Sequence, residues 1–428
     1  VMAALTAVLL PLINKEGGFS LVCIPITLIY AAGAALLLKG SRSGQETLEP
    51  LWFGAVLAVL ALTVLARASL LPHVSSDYTS CLSVWLSDIR SMPGASSLAA
   101  NIGDYNTPYF YMLFAIGKLL PQSADLYTIK CVSILFDYIL AYFVMKLVML
   151  KTNRRPLAIG SFIAALLIPS VLMNSAMWGQ CDSIFTAFAI GALYYGLRGK
   201  SCLSWAFFAL ALSFKLQAIF LLPMLLVLLF TEHIRLRHIW VFPAVFIALL
   251  VPAMIAGRGF IDCISVYFRQ TNTYIGLSML APSMYAWVPV YPVSYIPVTG
   301  AGILVAGTIT LAFLLYLLRR RERLDDTAMI EAAFLFALII PFFLPRMHER
   351  YFYVADAMAA VYLFYRPRRW YVSLLVLLCS SLGHAAALFG ATFVVPLWLL
   401  SFFILGAICL LIKDFVPRME LHHKEPVS

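Results

Sequence analysis

Charge is what this chain has least of. Only 12% of its 428 residues are Asp, Glu, Lys or Arg, against 63% apolar residues and a mean hydropathy of +0.93. A soluble domain carries about 25% charged residues, so a soluble enzyme or a disordered chain is excluded. The net charge of +10 does not make a nucleic-acid binder of so apolar a sequence. Paired cysteines are missing too. The eight cysteines lie scattered, mostly inside apolar runs, with no CxxC or Cys/His cluster, so neither a disulfide framework nor a metal site is expected. Ten-residue segments of alternating polarity are absent, which excludes a membrane β-barrel. No internal repeat and no low-complexity linker appear, and no basic segment with a small-residue cleavage site opens the chain, so a cleaved leader is not expected.

What is present is a succession of apolar runs long enough to cross a bilayer, which defines an all-α polytopic membrane protein. Candidate spans fall near 1–13, 19–38, 51–72, 126–150, 156–173 and 179–197, with a short pair at 202–214 and 217–230. Others fall near 237–256, 296–318, 327–344, 351–365, 370–388 and 393–413. The chain reads as a single integral membrane domain, 1–428, of about 12–14 spans. Two stretches are too polar to span, 73–107 and 257–295; the first, extended to residue 125, is read as a first outer loop bearing amphipathic helices, and 257–295 as a second. The run Tyr109–Leu120 is about 18 Å long at 1.5 Å per residue, too short for a core of about 30 Å, and is placed at the outer leaflet.

Basic residues set the orientation. Lys39/Arg42, Lys151/Arg154/Arg155, Arg198/Lys200, Arg235/Arg237, Arg319–Arg323, Arg366–Arg369 and Lys413/Arg418/Lys424 fall on alternate loops. Such loops stay cytoplasmic, so the remaining loops face outward.

The polar residues that survive in this background mark sites. The first outer loop reads HVSSDYTSCLSVWLSDIR. It puts Asp77 five residues beyond Pro72, close to the membrane, either as a reactive carboxylate or, like Ser76, as the cap of a helix over Tyr78–Arg90. GDYNTPYFYML displays Asp104, Tyr105 and Asn106 on a turn between Gly103 and Pro108. In NSAMWGQCDSIF, Trp178 stands as an interfacial anchor or a sugar contact, and Gln180 and Asp182 open a span. SFKLQAIF carries Lys215 at the break between two half-length helices, a position that lines a cavity more often than it faces lipid. In FFLPRMHERYFYVADA, Arg346, His348, Glu349 and Arg350 interrupt apolar sequence on the outward side, against the positive-inside rule. Two rigid guanidinium forks beside a histidine suit phosphate oxygens, with Glu349 as a sugar ligand or as the structural partner of one arginine. Arg67 either snorkels or joins this anion site, and Asp137 is a contact between helices.

Three of these segments, Asp77 with the following YNTPYFYML, WGQCDSIF with LALSFKLQAIFLLP, and LPRMHERYFY, together resemble the GT-C superfamily of membrane glycosyltransferases. The last two together closely resemble bacterial relatives of GPI mannosyltransferase, and the likeness covers roughly residues 51–390. Leu216 departs from the proline that many relatives have at that position. The resemblance implies an inverting transfer of one hexose, mannose favoured, from a polyprenyl-phosphate carrier to a glycan, glycolipid or protein acceptor on the outward face. A bacterial cytoplasmic membrane with a periplasmic or extracellular site is the expected location. Asp77 maps onto the family's general base, with Asp104 second. Arg346, His348, Arg350 and Lys215 are expected at the donor phosphate, and Gln180, Asp182, Trp178 and Glu349 at the sugar. The donor is a substrate; no cofactor, metal or nucleic acid is expected. A lipid-linked glycan ligase or polymerase, or a flippase or transporter of a polyprenyl-linked sugar, remains open on the residues alone.

Overall fold

The computed structural model describes residues 19–41, 49–272, 276–288, 295–390 and 395–421. The expected span at 1–13 and the basic residues Arg42 and Lys424 lie outside them. The described chain is helical nearly throughout, and its strands are the two-residue pair Ser278–Met279 and Met347–His348. Among the described residues, seven helices are long and apolar enough to cross a bilayer, and a bent pair, Arg155–Leu166 with Pro169–Trp178, makes an eighth when taken as one span. Four shorter apolar helices, Ile24–Gly40, Asp182–Leu197, Ser201–Phe214 and Leu216–Phe230, fall below that length. The protein is therefore an all-α polytopic membrane protein. The 53° bend falls at Pro169, where the ring removes an N–H and cannot sit against the preceding turn.

Two compact units divide the chain, the first formed by 1–188, 209–216 and 242–273 and the second by 189–208, 217–241 and 274–428. The first is organised on the 27-residue helix Asp125–Lys151, which packs against Phe19–Gly40 and Arg155–Leu166. Gly33 lets the first of these approach closely, since a Cβ there would lie 2.5 Å from the Tyr138 ring. Arg67 is fully buried and neither snorkels nor joins an anion site. Its Nε donates to Asp137 at 2.9 Å, and Nη2 donates to the Leu166 carbonyl at 2.9 Å. Ser175 Oγ donates to the same carboxylate at 2.5 Å. Asp137 thus makes the expected contact between helices. Lys130, also fully buried, donates to the carbonyls of Leu71 and His73 at 2.9 and 2.5 Å. A cation here meets the negative end of the helix Pro50–Leu70 and satisfies carbonyls that have no partner within it.

Segment 73–125 folds into short helices: the π-turn Tyr78–Leu82, then Ser83–Ser91, Ser96–Ala99 and Thr107–Leu119. They carry a core of their own, in which Leu82, Leu86 and Ile89 meet Tyr109, Phe110, Leu113 and Ile116. Arg90 fastens this layer to the long helix through both oxygens of Asp125, each at 2.6 Å. Gly103 lies against Trp85 so tightly that a Cβ would sit 2.4 Å from the indole.

In the second unit the buried helix Asp326–Phe343 is surrounded by Tyr295–Arg319, Tyr353–Tyr365 and Leu397–Leu421. Asp325 caps it, accepting from the Ala328 N–H at 2.7 Å. Glu331 on that helix holds Arg366 at 2.7 Å and also Arg418.

Candidate active site

Asp77 is not a helix cap. The Tyr78 N–H is taken by Ser75 Oγ at 3.3 Å, and Ser75 in turn donates to the Trp178 carbonyl at 2.8 Å. The half-buried Asp77 carboxylate instead accepts from the Gln180 side-chain amide through Oδ2. Among the described residues, no side chain or backbone group is hydrogen-bonded to its Oδ1. Gln180 is 5% exposed, and its own Oε1 accepts from the Tyr105 hydroxyl at 2.8 Å. A phenol donating to the amide oxygen fixes which end of the amide faces the carboxylate. Residues 75, 105 and 180 are far apart in sequence, so the carboxylate is oriented by a relay across three segments.

Behind this relay lies an ion pair. Lys215 Nζ is 2.5 Å from Asp182 Oδ1, and Asn174 donates to Asp182 Oδ2 at 2.9 Å. Lys215 stands where the sequence expects it, at the end of Ser201–Phe214 and before the 3-10 turn Leu216–Leu221. Its ammonium also faces the Tyr105 and Phe185 rings at 5.7 and 5.8 Å. The ring of Tyr105, packed against Trp85 and Tyr109, therefore touches the ion pair while its hydroxyl serves the relay. The bend that brings these groups together comes from local sequence. The π-turn Met173–Trp178 ends at Gly179, whose φ of +80° suits glycine, and the chain then turns directly into the helix Asp182–Leu197.

Of the residues assigned to the first unit, Asp77, Gln180, Asp182 and Lys215 are thus gathered by direct bonds or through Tyr105. Trp178 is 4% exposed, too buried for an interfacial anchor, and its carbonyl is what anchors the Asp77 segment. Asp104 is exposed, and its backbone carbonyl is held by Gln270. Tyr105 and Asn174 have no assigned role in the sequence reading. Tyr105 stood in the displayed turn and Asn174 eight residues before Asp182, but no spacing rule points to their partners.

Arg346, His348, Glu349 and Arg350 belong to the second unit. Arg346 has a φ of +62°, an unusual conformation for a side chain with a Cβ, and its N–H donates to the Leu277 carbonyl at 2.7 Å. The two-residue parallel pairing of Ser278 with Met347 and Met279 with His348 follows at once. Strain of this kind, about 1–3 kcal/mol, persists where the surrounding structure holds it and is common at ligand sites. Glu349 is 2% exposed, with Oε1 3.1 Å from Arg350 and Oε2 3.9 Å from His348. That is the structural-partner alternative for Glu349. Beyond the sequence reading, buried Asp356 accepts from Ser380 at 2.7 Å, and buried His384 Nδ1 lies 2.9 Å from the Ser380 carbonyl. No group of three or more His, Cys, Asp or Glu among the described residues is arranged to hold a metal ion.

An oriented carboxylate and a buried ion pair in a helical membrane protein suit group transfer and transport alike, and comparison with known families decides between them. The model of glycosyltransferase family 87 matches residues 105–345. The protein is an integral membrane glycosyltransferase of the GT-C type, and the chain belongs to glycosyltransferase family 87. The match includes Tyr105, Gln180, Asp182 and Lys215; it begins after Asp77 and Asp104 and ends just before Arg346. No curated protein matches the chain. Membership decides between the enzyme and the transporter readings that the residues alone leave open.

Proposed function

We propose that this glycosyltransferase moves one hexose, mannose favoured, from a polyprenyl-phosphate donor to an acceptor hydroxyl on the outward face of a bacterial cytoplasmic membrane, with inversion. The observation that carries the proposal is the orientation of Asp77, a half-buried carboxylate held by one oxygen and spared from helix capping. In the proposed reaction this carboxylate takes the proton of the acceptor hydroxyl. The acceptor oxygen then bonds to the anomeric carbon as the bond from that carbon to the phosphate oxygen breaks. The phosphate leaves with the bonding electrons, and in-line attack makes an α-linkage from a β-linked donor. Asp104 is the second choice of base; its exposure, with no partner for its carboxylate among the described residues, makes it the weaker one.

Charge grows on the departing phosphate, where prepositioned donors help most. Arg346, Arg350 and His348 are proposed for that role on the chemistry of the guanidinium fork and the constrained backbone at Arg346. Lys215 joins them as a hydrogen-bond donor. Its pairing with Asp182 means that it adds little net charge. Gln180, Asp182 and Trp178 are proposed near the sugar, and Glu349 keeps Arg350 and His348 in place. Glycan, glycolipid and protein acceptors all offer the required hydroxyl.

The test is release of polyprenyl phosphate from short-chain polyprenyl-phosphate mannose or glucose by the purified protein in liposomes, supplied with a membrane glycan extract as acceptor. Asp77→Asn is expected to lower turnover by about 10²–10⁴-fold, the usual contribution of a general base, with donor binding retained. Full activity in Asp77→Asn, with loss in Asp104→Asn, would transfer the role to Asp104.

A further inference from the structure

We propose that Arg258 and Arg269 form an oxyanion site in the first unit, and that its ligand is an acidic group, phosphate or carboxylate, carried by the acceptor. The assignment to the acceptor rests on the role proposed above for Asp77; the site itself does not.

The site is built where the helix Val241–Ile255 gives way to the helix Phe260–Asn272. Gly257, at a φ of +110°, turns the chain, and the Arg258 N–H donates back to the Ala253 carbonyl at 3.0 Å. Arg258 is then 6% exposed. A guanidinium keeps its charge in any such setting, and a charge so buried is costly unless it is paired. Arg258 makes no ion pair among the described residues. Its Nε is buried without a hydrogen-bond partner, and its Nη2 donates to a neutral group, Asn101 Oδ1, at 2.5 Å.

A second guanidinium meets the same oxygen: Arg269 Nη2 donates to Asn101 Oδ1 at 3.2 Å. Two cationic forks thus converge on one amide oxygen of an exposed residue. An oxyanion in the place of that oxygen makes both bonds charge-assisted at each end, and such bonds are about twice as strong as neutral ones. The helix Phe260–Asn272 starts two residues beyond Arg258, and the positive end of its dipole favours the same sign of ligand. Asp262, in its first turn, forms an ion pair with neither arginine among the described residues.

The position of the site points to the acceptor. Asn101 stands four residues before Tyr105, whose hydroxyl serves the relay to Asp77, and that much chain spans at most about 14 Å. Gln270, next to Arg269, fastens the helix to the same turn through the Asp104 carbonyl and through Asn106 Oδ1, the latter at 3.2 Å. In an inverting displacement the acceptor approaches on the side of the base, and the leaving group departs from the opposite face of the sugar. An anion site tied to the turn that serves the base therefore suits an acidic group close to the reacting hydroxyl.

The experiment measures binding to the full chain in dodecyl maltoside by saturation-transfer NMR. Mannose 6-phosphate is the probe, mannose its neutral counterpart and inorganic phosphate the competitor. Expected is saturation of mannose 6-phosphate and not of mannose, removed by inorganic phosphate. Arg258→Gln is expected to weaken the probe by at least about tenfold, the low end for a lost bond to a charged group. Asn101→Asp supplies both arginines with a counter-charge of their own. It is expected to abolish binding with the melting temperature unchanged or raised, and it keeps the test valid if Arg258→Gln fails to fold. Polyprenyl-phosphate mannose, at a concentration that saturates turnover, is expected to leave the probe bound; displacement by that donor would overturn the assignment to the acceptor. Equal saturation of mannose and mannose 6-phosphate by the wild type, or probe binding that survives Asn101→Asp, would overturn the site. An absence of donor turnover beside probe binding that depends on Arg258 would uphold the site and remove only its assignment to the acceptor.

Discussion

Removing one hydroxyl, that of Tyr105, isolates the relay that orients Asp77. Tyr105→Phe keeps the ring against Trp85, Tyr109 and the Lys215 ammonium and deletes the 2.8 Å bond to Gln180 Oε1. A neutral hydrogen bond contributes about 0.5–1.5 kcal/mol, so turnover should fall about 2- to 12-fold. Part of that loss comes from amides that turn their oxygen toward the carboxylate. Gln180→Met removes the bond to Asp77 itself. A bond to a charged group contributes about 1.5–3 kcal/mol, which corresponds to about 12- to 150-fold. Because Tyr105 acts on Asp77 only through Gln180, the two losses should not add: Tyr105→Phe in the Gln180→Met background should cost almost nothing more, leaving a coupling of about 1 kcal/mol in the double-mutant cycle. The assay is release of polyprenyl phosphate at saturating donor, with KM measured beside kcat. A merely structural role for Tyr105 would lower the melting temperature of each variant and leave kcat per folded molecule unchanged. Strict additivity of the two substitutions, or a change confined to KM, would refute the relay.

Two further outcomes follow from pairs away from the relay. Arg67 and Asp137 are both fully buried, and stranding one charge of such a pair costs about 3–5 kcal/mol. Arg67→Met should therefore abolish a folded monodisperse peak in size-exclusion chromatography, and Arg67→Met/Asp137→Leu should restore it; a double variant no better than the single would show that the pair is not what holds these helices. Burial first, and the Lys130 charge second, hold the His73 imidazole below its ordinary value of 6.5. The folded state then resists protonation, so stability is flat above about pH 6.5 and declines as pH falls from there toward the lowered folded value. His73→Gln should reduce the fall in melting temperature between pH 7.5 and 5.5, and an unchanged fall would assign it to other groups.

The fold class was legible because apolar length is a local property. Each run near 51–72, 126–150 or 327–344 had to become a helix, since an unpaired backbone cannot stay in hydrocarbon. Span boundaries were less legible. Pro169 bends a helix that continues to Trp178 instead of ending near 173, because the π-turn Met173–Trp178 carries the chain on until Gly179 stops it. The π-turn has no spacing signature. The short helix Thr107–Leu119 was foreseen from its length alone, but its fastening through Arg90 and Asp125 was not, since those residues are 35 apart and each reads alone as a solvated charge.

The site shows the same limit more sharply, and it bears on how charges in such chains are read. Asp77, Gln180, Asp182 and Lys215 stood out because polar groups are costly in apolar surroundings. What each one does depends on its partner, and apart from Asn174, eight residues before Asp182, the partners are 33 to 103 residues away. Lys215 taken alone is a cation awaiting a phosphate. Paired with Asp182 at 2.5 Å, it becomes half of a nearly neutral group, and net attraction for an anion has to come from elsewhere. Glu349, read alone as a sugar ligand or as an arginine's structural partner, likewise stands beside Arg350 as a counter-charge. Arg346 is different. Its positive φ and its N–H bond to Leu277 constrain the backbone that carries its guanidinium. Net charge around each group, and not the count of basic side chains, therefore decides where a departing phosphate is held.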